Sequence, residues 1–147
     1  MPSEHIAKLY TDASAQNSAF FIDLPAKPYP KALYDMIPFN PPPKTTNEAE
    51  YRALIIGIRI LYRYTISTKD YISIDAVEIM SDSQLMVNQI NDVYKTTKRE
   101  LIELRDQARM LLDQLFTKNN RPFTLTWIER EQNRAGHLLE RNRRVRE

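Results

Sequence analysis

The sequence predicts an α/β domain, a mixed sheet of five strands flanked by helices in the order β-β-β-α-β-α-α-β-α. Three observations carry this. The chain opens with short apolar, β-favouring runs that lack helical spacing. From about residue 47 onward, long stretches repeat their apolar residues with the helical period. Two further strand-like runs, Ala76 to Ser81 and Phe123 to Ile128, are set between those helical stretches. Strand-helix-strand units imply parallel pairing with right-handed crossovers, and the opening strands imply an antiparallel meander joined to them.

In order, Ile6 to Thr11 reads as the first strand, ending at Asp12. Ala13 to Ser18 is a small-residue turn, and Ala19 to Leu24 is the second strand. Lys31 to Pro38 is a third strand, whose prolines suit an edge better than a centre. Pro41-Pro42-Pro43 halts regular structure, and Thr45-Thr46-Asn47 opens a helix running to about Tyr64, with Ala49, Ala53, Ile56 and Ile60 on one stripe. A loop holds Ser67 to Asp70. Ala76 to Ser81 is apolar enough to be covered on both faces. A helix from Asp82 to Ile90 follows, then a longer one from Thr97 to Phe116 carrying Leu101, Leu104, Ala108, Leu111, Leu112 and Leu115. Phe123 to Ile128 alternates as the last strand, with Trp127 expected in the core. The final helix runs from Asn133 onward, with Leu138 and Leu139 as its apolar contacts. No repeat or long linker divides the chain, so residues 1–147 read as one domain.

Composition narrows the chemistry. Without cysteine there is no disulfide framework, thiolate metal site or cysteine nucleophile. The two histidines, His5 and His137, are too few for a histidine-rich metal site. A net charge of +2 is not that of a protein that binds nucleic acid by overall basicity, although Arg141, Arg143, Arg144 and Arg146 crowd the end. Met1-Pro2-Ser3-Glu4-His5 lacks the layout of a signal peptide, and no apolar run reaches the roughly 20 residues needed to span a bilayer. A cytoplasmic, monomeric protein with no membrane partner is the expectation.

Three carboxylates stand out by position. Asp12 ends the first strand, Glu50 lies in the first turns of the first long helix, and Asp82 stands where the fourth strand hands over to a helix. Taken alone, Asp82 reads as a helix N-cap. If the first and fourth strands are neighbours, however, Asp12 and Asp82 emerge side by side, and a helix packed on the sheet can bring an acidic residue to both. Carboxylates without thiolates suit Mg²⁺ or Mn²⁺. Such a cluster can hold two ions about 3.5–4 Å apart, the arrangement used to cleave phosphodiesters.

The residues around these positions resemble a known family. Leu9-Tyr10-Thr11-Asp12-Ala13-Ser14, Thr46-Asn47-Glu48-Ala49-Glu50-Tyr51-Arg52-Ala53-Leu54, Ser81-Asp82-Ser83-Gln84-Leu85-Met86-Val87-Asn88-Gln89-Ile90 and Arg130-Glu131-Gln132-Asn133 are similar, in this order, to the motifs of type 1 ribonuclease H. The resemblance spans nearly the whole chain and implies the ribonuclease H-like fold. It implies an endonuclease that uses two metal ions to cut the RNA strand of RNA–DNA hybrids, leaving 5′-phosphate and 3′-hydroxyl ends. It implies Asp12, Glu50 and Asp82 as metal-binding catalytic carboxylates, choosing Glu50 over Glu48 where periodicity does not. Ser14, Thr46, Asn47, Gln84 and Asn133 match substrate-contacting positions, and amide and hydroxyl groups can recognise 2′-hydroxyls without reading sequence.

The chain departs from the family where a fourth aspartate is usual. Asn133-Arg134-Ala135-Gly136-His137 puts His137 there. His137 is expected to serve as the fourth catalytic and metal-binding residue; an imidazole ligand brings no negative charge, which weakens Mg²⁺ and favours Mn²⁺ at that position. The glycine-rich turn after the first motif is replaced by Ala13 to Ser18, and the loop histidine before the final helix has no counterpart. Two other readings remain: a catalytically weak or inactive module of the same fold that binds hybrid or double-stranded RNA, and an interaction domain presenting the leucine-rich helix Thr97 to Phe116 to a partner.

Overall fold

The computed structural model describes residues 5–24, 31–63 and 74–146. The loop Ser67 to Asp70 and the helix end at Tyr64 lie outside the described residues. Strands β1 (Ile6–Ala13), β2 (Asn17–Leu24) and β3 (Lys31–Pro38) form the meander. Helix α1 (Thr46–Leu61), strand β4 (Ala76–Ser81), helices α2 (Gln84–Ile90) and α3 (Arg99–Leu115), strand β5 (Phe123–Trp127) and helix α4 (Arg134–Arg146) follow. The order of elements is the one the sequence predicts. The sheet has five strands in the order β3-β2-β1-β4-β5. The meander pairs antiparallel, whereas β1–β4 and β4–β5 are parallel.

Side-chain alternation assigns the two faces. Leu9, Ile22, Ile79 and Leu125 point to one side and are buried beneath α1 and α3. Tyr10, Phe21 and Tyr34 lie abreast on the other, where Phe21 stacks on Tyr34 and lies 4.0 Å from the Arg134 guanidinium of α4. Helix α1 is buried along Leu54, Ile58 and Leu61 because these recur three or four residues apart. Helix α3 turns Leu101, Ala108 and Leu112 into the same core. Leu104, Leu111 and Leu115 pack against that core while partly buried, so the leucine face of α3 serves the interior of the fold.

Element ends differ from the sequence reading for local reasons. Strand β1 runs on to Ala13, so Asp12 sits within it, and the turn to β2 shrinks to Ser14–Gln16. Trp127 is not core: it is 40% exposed at the last position of β5, which is an edge strand. No helix among the described residues is long and apolar enough to cross a membrane.

Candidate active site

Thr11 and Ser81 are paired across the parallel β1–β4 ladder. The next residues, Asp12 and Asp82, therefore emerge together at the same end of the sheet. Glu50 arrives from α1, seven residues before Gly57 and hence on nearly the same stripe of the helix. Gly57 packs directly against Thr11 and Leu9 of β1, which keeps this stripe close to the strand. One carboxylate oxygen from each of Asp12, Glu50 and Asp82 lies within 4.8 Å of the other two. Asp12 and Glu50 are buried, and Asp82 is partly so.

Capping explains which acidic residues were left for this cluster. The Thr45 hydroxyl accepts from the Glu48 N–H at 3.1 Å, and the Glu48 carboxylate accepts from the Lys44 N–H at 2.8 Å. Glu48 also pairs with Arg52 at 3.6 Å, so it belongs to the start of α1. Helix α2 is capped by Ser83, whose hydroxyl accepts from the Met86 N–H at 3.3 Å, and the Ser81 hydroxyl accepts from the Ser83 N–H. Asp82 lies between them and is not the cap that the isolated stretch suggested.

Burial raises the pKa of both enclosed carboxyls. For Asp12 the negative charge of Asp82 adds to burial, while the Ala13 N–H, donating to Oδ1 at 2.9 Å, pulls the other way. Glu50 is pushed up further, first by burial and then by Asp12. Its Oε2 has no hydrogen-bond partner. Arg130, on the turn after β5, places its guanidinium 3.7 Å from Asp82 and lowers both raised values. It is exposed at 84%, and its approach to the carboxylates was missed in the sequence, where it stood only as the first residue of a motif.

Helix α4 reaches the site from the other face. Asn133 is fully buried, donating to the Thr11 carbonyl at 3.0 Å and accepting from the Ala135 N–H at 3.1 Å. Both ends of its amide bond within the protein, so Asn133 fixes the start of α4 on β1. Ser14 is exposed, but its hydroxyl accepts from the Asn17 and Gln16 N–H groups and shapes the turn. Thr46 and Gln84 are exposed at the first positions of α1 and α2, and Asn47 is half-buried beside Thr46. His137 is exposed, with Nε2 2.9 Å from the Glu131 carbonyl, and is not among the three clustered acids. It shares with Asp12, Arg130 and the Ser14–Asn17 turn the wall of a cavity of about 510 Å³.

The donor set is all oxygen, which suits a hard divalent cation. An unpartnered buried oxygen on Glu50 and more negative charge than Arg130 offsets fit such an ion.

The fold is shared with known proteins. The chain is similar to ribonuclease H1 from the halophilic archaeon Halobacterium salinarum, at 21% identity and a TM-score of 0.67, over 91% of this chain and 93% of that one. It is as similar to the N-terminal RNase H domain of Rv2228c from Mycobacterium tuberculosis, at 20% identity, a TM-score of 0.67, and coverage of 91% and 95%. LC11-RNase H1, solved in complex with an RNA/DNA hybrid, matches at 22% identity and a TM-score of 0.59 over 90% and 91% of the two chains. At these identities the three likenesses establish the fold. Residues 39–141 match the family model described as "Reverse transcriptase-like". With most of its length matched, the chain belongs to this reverse transcriptase-like family, within the ribonuclease H-like superfamily.

Proposed function

We propose that this protein is a ribonuclease H, an endonuclease that hydrolyses the RNA strand of RNA–DNA hybrids with Mg²⁺ or Mn²⁺. One observation carries the reading: three carboxylates from three separate elements converge within 4.8 Å, two of them buried. Burying carboxyls together disfavours their charged forms and raises the pKa of Asp12 and Glu50, so the cluster is suited to an external cation that can take the place of their protons. Asp12, Glu50 and Asp82 would hold the metal, with His137 as the fourth, variable member of the set. Divalent ions bound there supply positive charge for the attacking water and the departing oxygen.

The chain's own residues set the rest. Asp12 and Asp82 are held in register by the β1–β4 ladder, and Glu50 by the capped and buried α1. A phosphodiester is repelled by bare carboxylates, so cleavage requires the cation and stops when it is chelated. Thr46, Asn47 and Gln84, at the starts of two helices, offer hydroxyl and amide groups to 2′-hydroxyls and base edges. In hydrolysis the water oxygen bonds to phosphorus and the bond from phosphorus to the 3′-oxygen breaks. The proton lost by water is balanced by one gained at that oxygen, giving 3′-hydroxyl and 5′-phosphate ends. The hybrid bound in the LC11-RNase H1 structure supports this choice of substrate.

The test is a labelled RNA–DNA hybrid incubated with the protein in Mg²⁺ and in Mn²⁺, beside Asp82→Asn. Metal-dependent cuts that vanish in the variant support the proposal. Tight hybrid binding without cuts in either metal leaves a binding module of the same fold, and neither binding nor cuts removes both readings.

A further inference from the structure

The chain has only two glycines, and neither is required by backbone conformation, since no glycine has positive φ. Both lie inside helices, where glycine is the least favourable residue after proline. Space, then, is the reason to look for. A β-carbon on Gly57 would lie 2.7 Å from Thr11 Cγ2, and one on Gly136 would lie 2.8 Å from Asp12 Oδ2. The two glycines thus press on consecutive residues of β1 from opposite faces of the sheet.

They differ in what would yield. Around Gly57 the obstructing atoms are methyl groups of Thr11 and Leu9, packed in the core. At Gly136 the obstructing atom is the tip of the Asp12 side chain. The first turn of α4 has little freedom to retreat, because Asn133 ties it to the Thr11 carbonyl at 3.0 Å and Ala135 is fully buried. The carboxylate is the softer partner. Turning it would disturb the Ala13 N–H bond to Oδ1 at 2.9 Å and the closeness of Asp12 to Glu50 and Asp82.

We infer that Gly136 is a positioning residue for Asp12: the missing side chain at the start of α4 leaves the space that keeps the Asp12 carboxylate among the metal-holding acids. This rests on the functional reading above for the purpose of the geometry, but the contact between residues 12 and 136 can be tested without metal.

Gly136→Ala is compared with wild type by Mn²⁺ titration calorimetry and by thermal melting in chelator. The expected result is Mn²⁺ binding weakened about tenfold or more, the scale seen when a partner that orients a ligand is lost. The metal-free melting temperature should stay level, because the helix gains from alanine what the displaced carboxylate loses. In an Asp12→Ala background the obstruction is gone, and Gly136→Ala should raise the melting temperature. Wild-type Mn²⁺ affinity in Gly136→Ala overturns the inference while leaving the functional reading intact. If wild type neither binds Mn²⁺ nor cuts hybrid, the functional reading fails, and the melting data still decide: equal effects of Gly136→Ala with and without Asp12 overturn the positioning role. A Gly136→Ala chain that does not fold also overturns it, since the helix and not the carboxylate would then be what gives way.

Discussion

Replacing Glu50 by Gln should make the metal-free protein more stable, and increasingly so as pH rises. The Glu50 carboxyl is only 7% exposed and is surrounded by Asp12 and Asp82, so its pKa is pushed up to about 10. In the unfolded chain it has the ordinary glutamate value of about 4.3. Below that pH it is protonated in both states and costs nothing. Above it the folded chain keeps a proton that the unfolded chain has released, so the folded state binds one proton more. Stability then falls with rising pH by about 1.4 kcal/mol per unit until the folded pKa is reached. From pH 6 to pH 8 this one group removes about 3 kcal/mol, a large share of a total stability of roughly 5–15 kcal/mol. Glutamine is neutral throughout and keeps the shape of the side chain. Urea denaturation of both proteins in chelator, followed by circular dichroism at several pH values, measures the difference directly. The stability gap should widen by about 1.4 kcal/mol per pH unit, because the groups common to both proteins cancel to first order. Parallel curves for the two proteins would mean that Glu50 is already ionised in the fold, and the account of this site as internally uncompensated would be wrong.

The same shifts set the pH dependence of metal binding, since a cation must displace the proton on Glu50 and, at lower pH, the one on Asp12. Mn²⁺ affinity measured by calorimetry should rise with pH through neutrality, with proton release seen as a dependence of the heat on buffer; affinity flat with pH would contradict the raised pKa values. Asn133→Ala removes a buried hydrogen bond to the Thr11 carbonyl and the cap on the Ala135 N–H, and should cost about 2–4 kcal/mol in urea denaturation. A loss below roughly 1 kcal/mol would mean that α4 is held on β1 by other contacts. His137→Asp should improve activity in Mg²⁺ relative to Mn²⁺ in a hybrid-cleavage assay, because it adds a charge beside the cluster. An unchanged metal preference and rate would place His137 outside the reacting centre.

Much of this site is legible in the sequence because its acids sit at element boundaries, where pattern is informative. The end of an apolar run next to a helix start marks Asp82, and the end of the first run marks Asp12. What the sequence hides is how neighbouring polar residues divide their tasks. Ser83 and Asp82 are both competent caps, and only the hydrogen bond to Met86 shows which one is used. Glu48 and Glu50 are two positions apart on one helix, and the bond from the Lys44 N–H shows which belongs to the cap. That Asn133 also ties α4 to β1 is hidden because its partner, Thr11, is 122 residues away. Trp127 alternates correctly as an inward residue, but alternation names a face and does not say whether a helix covers it. Gly136 carried no signal at all, since its role depends on a distance to Asp12 that no local pattern encodes.

The location of the cluster follows from the topology. The sheet switches at β1, which has an antiparallel neighbour in β2 and a parallel one in β4. Helices α1 and α4 press on opposite faces of β1 through Gly57 and Gly136. The carboxyl ends of β1 and β4 are therefore a crevice that helices from both layers reach, as is general for ligand sites in open α/β sheets. Residues there cannot be optimised for the fold alone. The roughly 3 kcal/mol that Glu50 withholds between pH 6 and pH 8 is of the size of one or two well-buried aliphatic side chains, each contributing about 1.5–3 kcal/mol. Helix α1 carries both parts of that opposition: Leu54, Ile58 and Leu61, all fully buried, hold it on the sheet, and Glu50 on the same helix buries a carboxyl that loses stability as pH rises. Substitutions that relieve Glu50 should therefore stabilise the chain and abolish metal binding together, and no gain in the core alone can separate the two.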